Sequence, residues 1–212
     1  MNMDALPVKE LCELGSATIY EASGLPCALP PDFRPAWPGA RCAGPALTVT
    51  AAPGDNLPLH WAVASASPGD ILVVDAGGSK YGYWGEVLAV AAQARGIAGL
   101  IIDGGVRDTD RLAELRFPVF STAVTILGTG KSWPGVIGGP IHLRGHDVAS
   151  GDLVVADADG IAIVPSSQVD AAVQASRARA AKEADFMERL REGALTLDLY
   201  GFRGLADPEV FR

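Results

Sequence analysis

Three charged side chains stand at a spacing that could do chemistry: Glu86 and, after twenty intervening residues, the neighbours Arg107 and Asp108. Two carboxylates and a guanidinium brought together could hold a hard cation, bind an anion and steady a developing negative charge. Each lies where a glycine-closed apolar run gives way to a helical pattern: DAGGSKYGYWGE (75–86) follows one run and DGGVRD (103–108) the next. The backbone N–H groups of Glu86, Val87 and Leu88 could cradle a carboxylate, because first-turn donors lack intrahelical partners. A structural explanation exists for the same residues. Acidic first turns suit the helix dipole, and an adjacent arginine can be a surface pair. On the residues alone both readings stand. Tyr83 and Trp84 could wall a pocket beside Glu86 or simply close the core.

Other motifs fall away. Gly130-Lys131-Ser132 imitates the end of a phosphate-binding loop, but Thr125 stands where its first glycine belongs and no helix pattern follows. There is no G-x-G-x-x-G after a strand and no G-x-S-x-G elbow. Cys12, Cys27 and Cys42 are odd in number and form no C-x-x-C pair, which argues against a disulfide framework or thiolate zinc. His142 and His146 sit in a glycine-containing, non-helical stretch and read as surface imidazoles.

The elements that must position the charged set read as β-α-β-α-β. Strands are expected near 71–75, 99–103 and 118–121, with helices over 85–96 and 107–115 between them. Parallel strands joined through helices cross over right-handedly, so their carboxyl ends share one sheet edge, where ligands of open α/β sheets bind. Before this core, residues 1–25 hold two short helices, broken at Gly15 and stopped at Gly24. A proline-rich crossing follows over 25–45, and a β-rich run over 46–52. VIGGPIHLRG and DLVVADADGIAIVP read as antiparallel strands, the second pair turning at 157–160. Ser167–Asp170 resembles a capping box opening a helix over 168–192, whose polar end outgrows its apolar face and suggests a neighbouring subunit. The reading is one domain over 1–212: N-terminal helices (1–25), an α/β core (46–165), and a C-terminal helix and tail (166–212).

Composition bounds the partners. The 212 residues are 49% hydrophobic and carry a net charge of −8, a soluble globular balance without an electrostatic footprint for nucleic acid. No apolar stretch is long enough for a membrane span, and the acidic N-terminus has no leader-like apolar region. The expectation is a cytoplasmic protein with a small-molecule ligand.

Glu86-x20-Arg107-Asp108 resembles the (Asp/Glu)-x20-Arg-Asp signature of a class II pyruvate aldolase family. These are the 4-hydroxy-4-methyl-2-oxoglutarate / 4-carboxy-4-hydroxy-2-oxoadipate aldolases, which share the fold of regulator of ribonuclease activity A. TIYEASG, PGDN, GDILVVD, the glycine–glutamate helix start at Gly85, FPVFS and VVADADGIAIVP resemble it in the same order. The resemblance implies an α/β fold with a β/β/α swivelling-type core, an αββα sandwich, assembled as a trimer or hexamer. It implies Mg²⁺ or Mn²⁺ on Asp108, with Glu86 reaching the metal through water and Glu183 doing so from the adjacent subunit. Arg107 would meet the pyruvyl oxygen, the Val87 and Leu88 amides with Gly85 the pyruvyl carboxylate, and Asn56 and His60 would line the pocket.

The implied reaction cleaves a 4-hydroxy-2-oxo dicarboxylic or tricarboxylic acid to pyruvate and a second oxo acid, through pyruvate enolate. Oxaloacetate decarboxylation passes through the same enolate and is an expected companion. A water on the metal is the candidate base, and no lysine Schiff base is needed, so Lys80 is only a loop residue. The alternative is a non-catalytic regulatory or binding protein on the same fold.

Overall fold

The computed structural model describes residues 7–205, so residues 1–6 of the expected N-terminal helices and residues 206–212 of the tail lie outside it. The four parallel strands β2 (Cys42–Thr50), β3 (Ile71–Trp84), β4 (Gly99–Val106) and β5 (Val119–Val124) alternate with α2 (Leu57–Ser65), α3 (Glu86–Ala94) and α4 (Thr109–Leu115). With β1 (Arg34–Pro35), β9 (Leu153–Ala156) and β10 (Ile161–Val164), the sheet order is β1-β5-β4-β3-β2-β9-β10. The short β6 (Val136–Ile137) pairs with β2.

Both faces of this sheet are covered, which is why the strands read as continuous apolar runs. Leu72, Val74, Leu100 and Ile102 face α2–α4, while Ile71, Val73 and Ile101 face inward onto Val154, Ile161 and Ile163 of the β9–β10 half. On the far side Leu153, Val155 and Val164 meet Leu11 and Ile19 of α1 (Val8–Ser23) and Val169 and Val173 of α5 (Val169–Arg191). Helix, sheet, sheet, helix is therefore the layering, as expected. β2 joins the halves. Its residues 42–45 run antiparallel to β9 and its residues 46–50 parallel to β3.

Several boundaries differ from the sequence reading. β2 starts at Cys42 rather than residue 46, because β9 supplies a partner for Gly44 and Pro45 that local sequence does not reveal. The expected loop over 75–86 is mostly strand: β3 continues to Trp84 with register shifts against β4, absorbing extra residues between Asp75 and Trp84. The expected strand over 136–145 splits between β6 and a hairpin of β7 (Ile141–Leu143) and β8 (His146–Val148). Helix α2 lies in a segment that had no assigned element.

The N-terminal break is real, with Gly15 non-helical at φ 79° and Gly24 left-handed at the C-cap. Ser16 N–H and Oγ–H both donate to the Asp157 carboxylate, at 2.7 Å each, so the second half of α1 is capped from a distant turn. A 3-10 turn, Ser166–Gln168, precedes α5, and the N-cap Gln168 makes no side-chain cap bond, unlike the expected capping box. The polar end of α5 is partly covered by its own chain. Phe186 meets Tyr200 edge-on, and Tyr200 stacks on Phe202 after α6 (Thr196–Leu199). Among the described residues no helix is long and apolar enough to cross a membrane.

Candidate active site

The carboxyl ends of β3 and β4 deliver the charged residues. Trp84 closes the core, stacked on Phe117 at 5.8 Å, so its wall role falls away. Tyr83 does border the site: its hydroxyl accepts from Gly54 N–H at 2.6 Å and donates to Ala52 O at 3.2 Å, fixing the 52–56 turn to β3. After Trp84 the chain turns through Gly85 into α3. The backbone of Gly85 is extended, which any residue tolerates, but a Cβ there would lie 2.3 Å from Asp108 Oδ2 and 3.0 Å from Arg107 Cγ. Any larger residue would push the half-exposed Asp108 carboxylate out of this position.

Arg107 and Asp108 precede α4 rather than opening it as the sequence suggested. Arg107 N–H donates to Trp84 O at 2.8 Å, and Asp108 is left-handed at φ 59°, ψ 37°. Aspartate is among the residues that bear that conformation best, and such backbone often marks a functional turn. The turn sets Asp108 Oδ2 to accept from Glu86 N–H at 3.1 Å, with Arg107 Nε 3.8 Å away. With side chains 46% and 42% exposed, that ion pair adds about 0–1 kcal/mol to stability.

Two cavities share this pair. One, of about 590 Å³, is lined by Glu86, Arg107, Asp108, Thr109, Asp110, Arg111 and residues 124–126. The other, of about 200 Å³, is lined by Asn56, His60, Tyr83, Gly85, Val87, Leu88, Arg107, Asp108 and Lys131. The first α3 amide to find a helical acceptor is Ala89, bonded to Gly85 O, so the Val87 and Leu88 N–H groups have no intrahelical partner beside the smaller cavity. All the expected site residues except Glu183 therefore border one or both cavities.

Lys131 was missed. No local signal marks it, since it reaches the site through contacts between distant loops. Gly130 N–H donates to Gly54 O at 2.7 Å and Asn56 N–H to Gly130 O at 3.1 Å. Asp55 locks the two loops, accepting from Leu57, Ser132 and Trp133 N–H at 2.9, 2.5 and 3.0 Å. Burial works to raise the Asp55 pKa, but those three donors and the Lys131 charge hold it below the usual carboxylate value. Burial, and secondarily Lys131, pushes His60 down, leaving a neutral imidazole at neutral pH.

Two other carboxylates lie apart. Asp103, in the same DGGVRD segment, faces inward with Ile101; its Oδ1 accepts from Thr122 Oγ–H at 3.2 Å and pairs with Arg144 Nε at 3.4 Å. Burial raises its pKa. Glu183 lies on α5, 2.9 Å from Arg179 Nε, and lines neither cavity of its own chain.

The described residues contain no cluster of three His, Cys, Asp or Glu side chains placed for a metal. The site instead offers Asp108, with Glu86 beside it, as hard oxygen donors. That set fits a cation such as Mg²⁺, which keeps several waters and needs only one or two carboxylates, and does not fit zinc.

Comparison with known proteins identifies the family and the fold. A family model described as RraA-like, Aldolase/RraA, matches residues 11–163. A protein of Halalkalibacterium halodurans named "Putative 4-hydroxy-4-methyl-2-oxoglutarate aldolase" is 36% identical over 168 residues, covering 79% of this chain and 78% of its own. Among solved structures, an uncharacterized Pseudomonas syringae pv. tomato protein superposes with a TM-score of 0.80 at 26% identity, over 91% of this chain and 92% of its own. The RNA-processing inhibitor RraA of Thermus thermophilis does so with a TM-score of 0.61 at 32% identity, over 65% and 84%.

Proposed function

The chain belongs to the RraA-like aldolase/RraA family, and from that premise we propose that it is a metal-dependent carbon–carbon lyase. It cleaves a 4-hydroxy-2-oxo dicarboxylic or tricarboxylic acid to pyruvate and a second oxo acid, and it decarboxylates oxaloacetate. The observation that carries the reading is the convergence of Arg107, Asp108 and the free α3 amides around one pair of cavities, at a glycine whose lack of a side chain lets the Asp108 carboxylate sit against the backbone.

Asp108 would hold Mg²⁺ or Mn²⁺ directly, with Glu86 acting through water and Glu183 of a neighbouring copy doing the same. When bound, the cation supplies positive charge next to the substrate's C2 oxygen. The chain's own residues do the remainder. The Val87 and Leu88 N–H groups bind the pyruvyl carboxylate at the positive end of α3, next to Gly85. Arg107 donates to the C2 oxygen, held in place by its backbone bond to Trp84 O.

Passage of the C4 hydroxyl proton to a water molecule in the site allows the C3–C4 bond to break. Its electron pair moves onto C3 and the C2 oxygen, giving pyruvate enolate and a new carbonyl on the departing fragment. Arg107 stabilises the oxyanion as it forms, the kind of preorganised interaction that dominates such catalysis. Water returns a proton to C3, which completes pyruvate and balances the proton taken from the C4 hydroxyl. Oxaloacetate reaches the same enolate by losing carbon dioxide.

Pyruvate is common to every reaction of this class, and its methyl protons become labile only where its enolate is stabilised. Metal-loaded protein in D₂O should therefore exchange the methyl protons of pyruvate faster than buffer, as read by proton NMR. Arg107→Ala should suppress the exchange, and Glu86→Gln should reduce it less. Exhaustive chelation should abolish it, and Mg²⁺ or Mn²⁺ should restore it. A folded, metal-loaded protein that exchanges no faster than buffer would remove the aldolase reading and favour a regulatory protein on this scaffold.

A further inference from the structure

Part of the smaller cavity is formed by Asn56, His60 and Lys131, none of which the reaction above uses. Asn56 is only 7% exposed. Its Nδ2 donates to Tyr83 O at 3.0 Å, which fixes the amide's orientation, because Oδ1 has no proton to give that carbonyl. Oδ1 is consequently buried without a donor, a costly arrangement that a ligand hydroxyl relieves. Lys131 and Arg107 are the two cations lining this cavity. Among the described residues no carboxylate lies within ion-pair distance of Lys131, although its charge is felt at both Asp55 and His60. His60, neutral at neutral pH, adds no competing charge.

We propose that Lys131 is the specificity-determining residue of the site, holding the second carboxylate of the substrate while Arg107 and the α3 amides hold the pyruvyl end. The inference rests on the lyase reading and extends it to the half of the substrate that leaves. A cavity of about 200 Å³ with a cation on each of two loops matches a compact dianion. The buried Asn56 acceptor suits the hydroxyl that such an acid carries between its two ends. A monocarboxylate would leave the Lys131 ammonium facing only water, and the Asp55 clasp fixes the backbone that carries this lysine, through the Ser132 and Trp133 N–H groups that follow it.

The test compares two 4-hydroxy-2-oxo acids of equal length, one ending in a carboxylate and one in a methyl group. Pyruvate release is measured on metal-loaded wild type, Lys131→Met and Lys131→Arg. Wild type should prefer the dicarboxylate. Lys131→Met should raise its KM by about 10- to 100-fold, the scale of a lost hydrogen bond to a charged group, with a much smaller change in kcat. The preference over the monocarboxylate should collapse accordingly, and Lys131→Arg should keep most of it. A purely structural lysine would instead lower both substrates equally. Such equal loss, or a preference retained in Lys131→Met, overturns the inference while the lyase reading stands. Wild type that neither releases pyruvate nor exchanges its methyl protons overturns both.

Discussion

Gly85 and Asp108 constrain one another, and the site depends on the contact. A methyl group at residue 85 would sit 2.3 Å from Asp108 Oδ2, so the carboxylate must move and release the Glu86 N–H. Gly85→Ala should therefore lose about 10²-fold in turnover, the cost of displacing a catalytic group by roughly an ångström. Its unfolding midpoint should change little, because the displaced side chain is half exposed. Equal damage to turnover and midpoint would show that the glycine serves the fold. Arg107 tests a different property. Lysine keeps the charge but loses the planar fork, so Arg107→Lys should still cost on the order of 10²-fold in kcat/KM. A lysine variant within a few-fold of wild type would mean that generic positive charge suffices.

At the scale of elements, the decisive device is the Asp55 clasp between the turn before α2 and the loop after β5. Its carboxyl is depressed below an ordinary value near 3.8. The clasp therefore contributes its stability above that value and loses it as pH falls through the lower, folded one. Wild type should outlast Asp55→Asn in urea at neutral pH, and the gap should close in strong acid; a gap unchanged there would assign the difference to packing. This clasp also explains why the sequence reveals some of the site and hides the rest. Apolar runs bounded by glycines betray β3 and β4, since both sheet faces are buried, and the Gly85-Glu86 and Arg107-Asp108 junctions follow from where those runs end. Lys131 is different. It lies 75 positions from Asn56 and enters the cavity through loop-to-loop bonds that leave no periodicity. Helix α2 is hidden for another reason: LPLHWAVAS is apolar on several sides, with Trp61 exposed, so no single stripe marks it. The continuation of β3 past Asp75 is masked by Gly77, Gly78 and Gly82, residues that ordinarily announce a loop.

On the scale of the whole molecule, the site's rim carries several exposed apolar side chains. Ile126 is 90% exposed and Val87 78%, and both border the cavities, as does Val124. Apolar residues gathered at a polar cleft mark an interaction surface, and a second copy of the chain in a cyclic arrangement would cover it and shield the enolate from water. The assembly should run as a trimer or hexamer by light scattering, and Ile126→Asp should weaken it. If the neighbour also contributes Glu183, each site draws on two chains, and complementation follows. Asp108→Ala and Glu183→Ala proteins should each be inactive alone. In an equimolar, randomly reassembled mixture, a site is intact when an Asp108-bearing chain meets a Glu183-bearing neighbour, which happens at about one site in four in a head-to-tail ring. Pyruvate release should recover toward that fraction after the subunits are mixed under dissociating conditions and returned to buffer, and remain absent when the pre-formed oligomers are simply combined. Mixed oligomers verified by mass that recover nothing would put Glu183 outside the shared site and leave Asp108 and Glu86 to serve it from one chain.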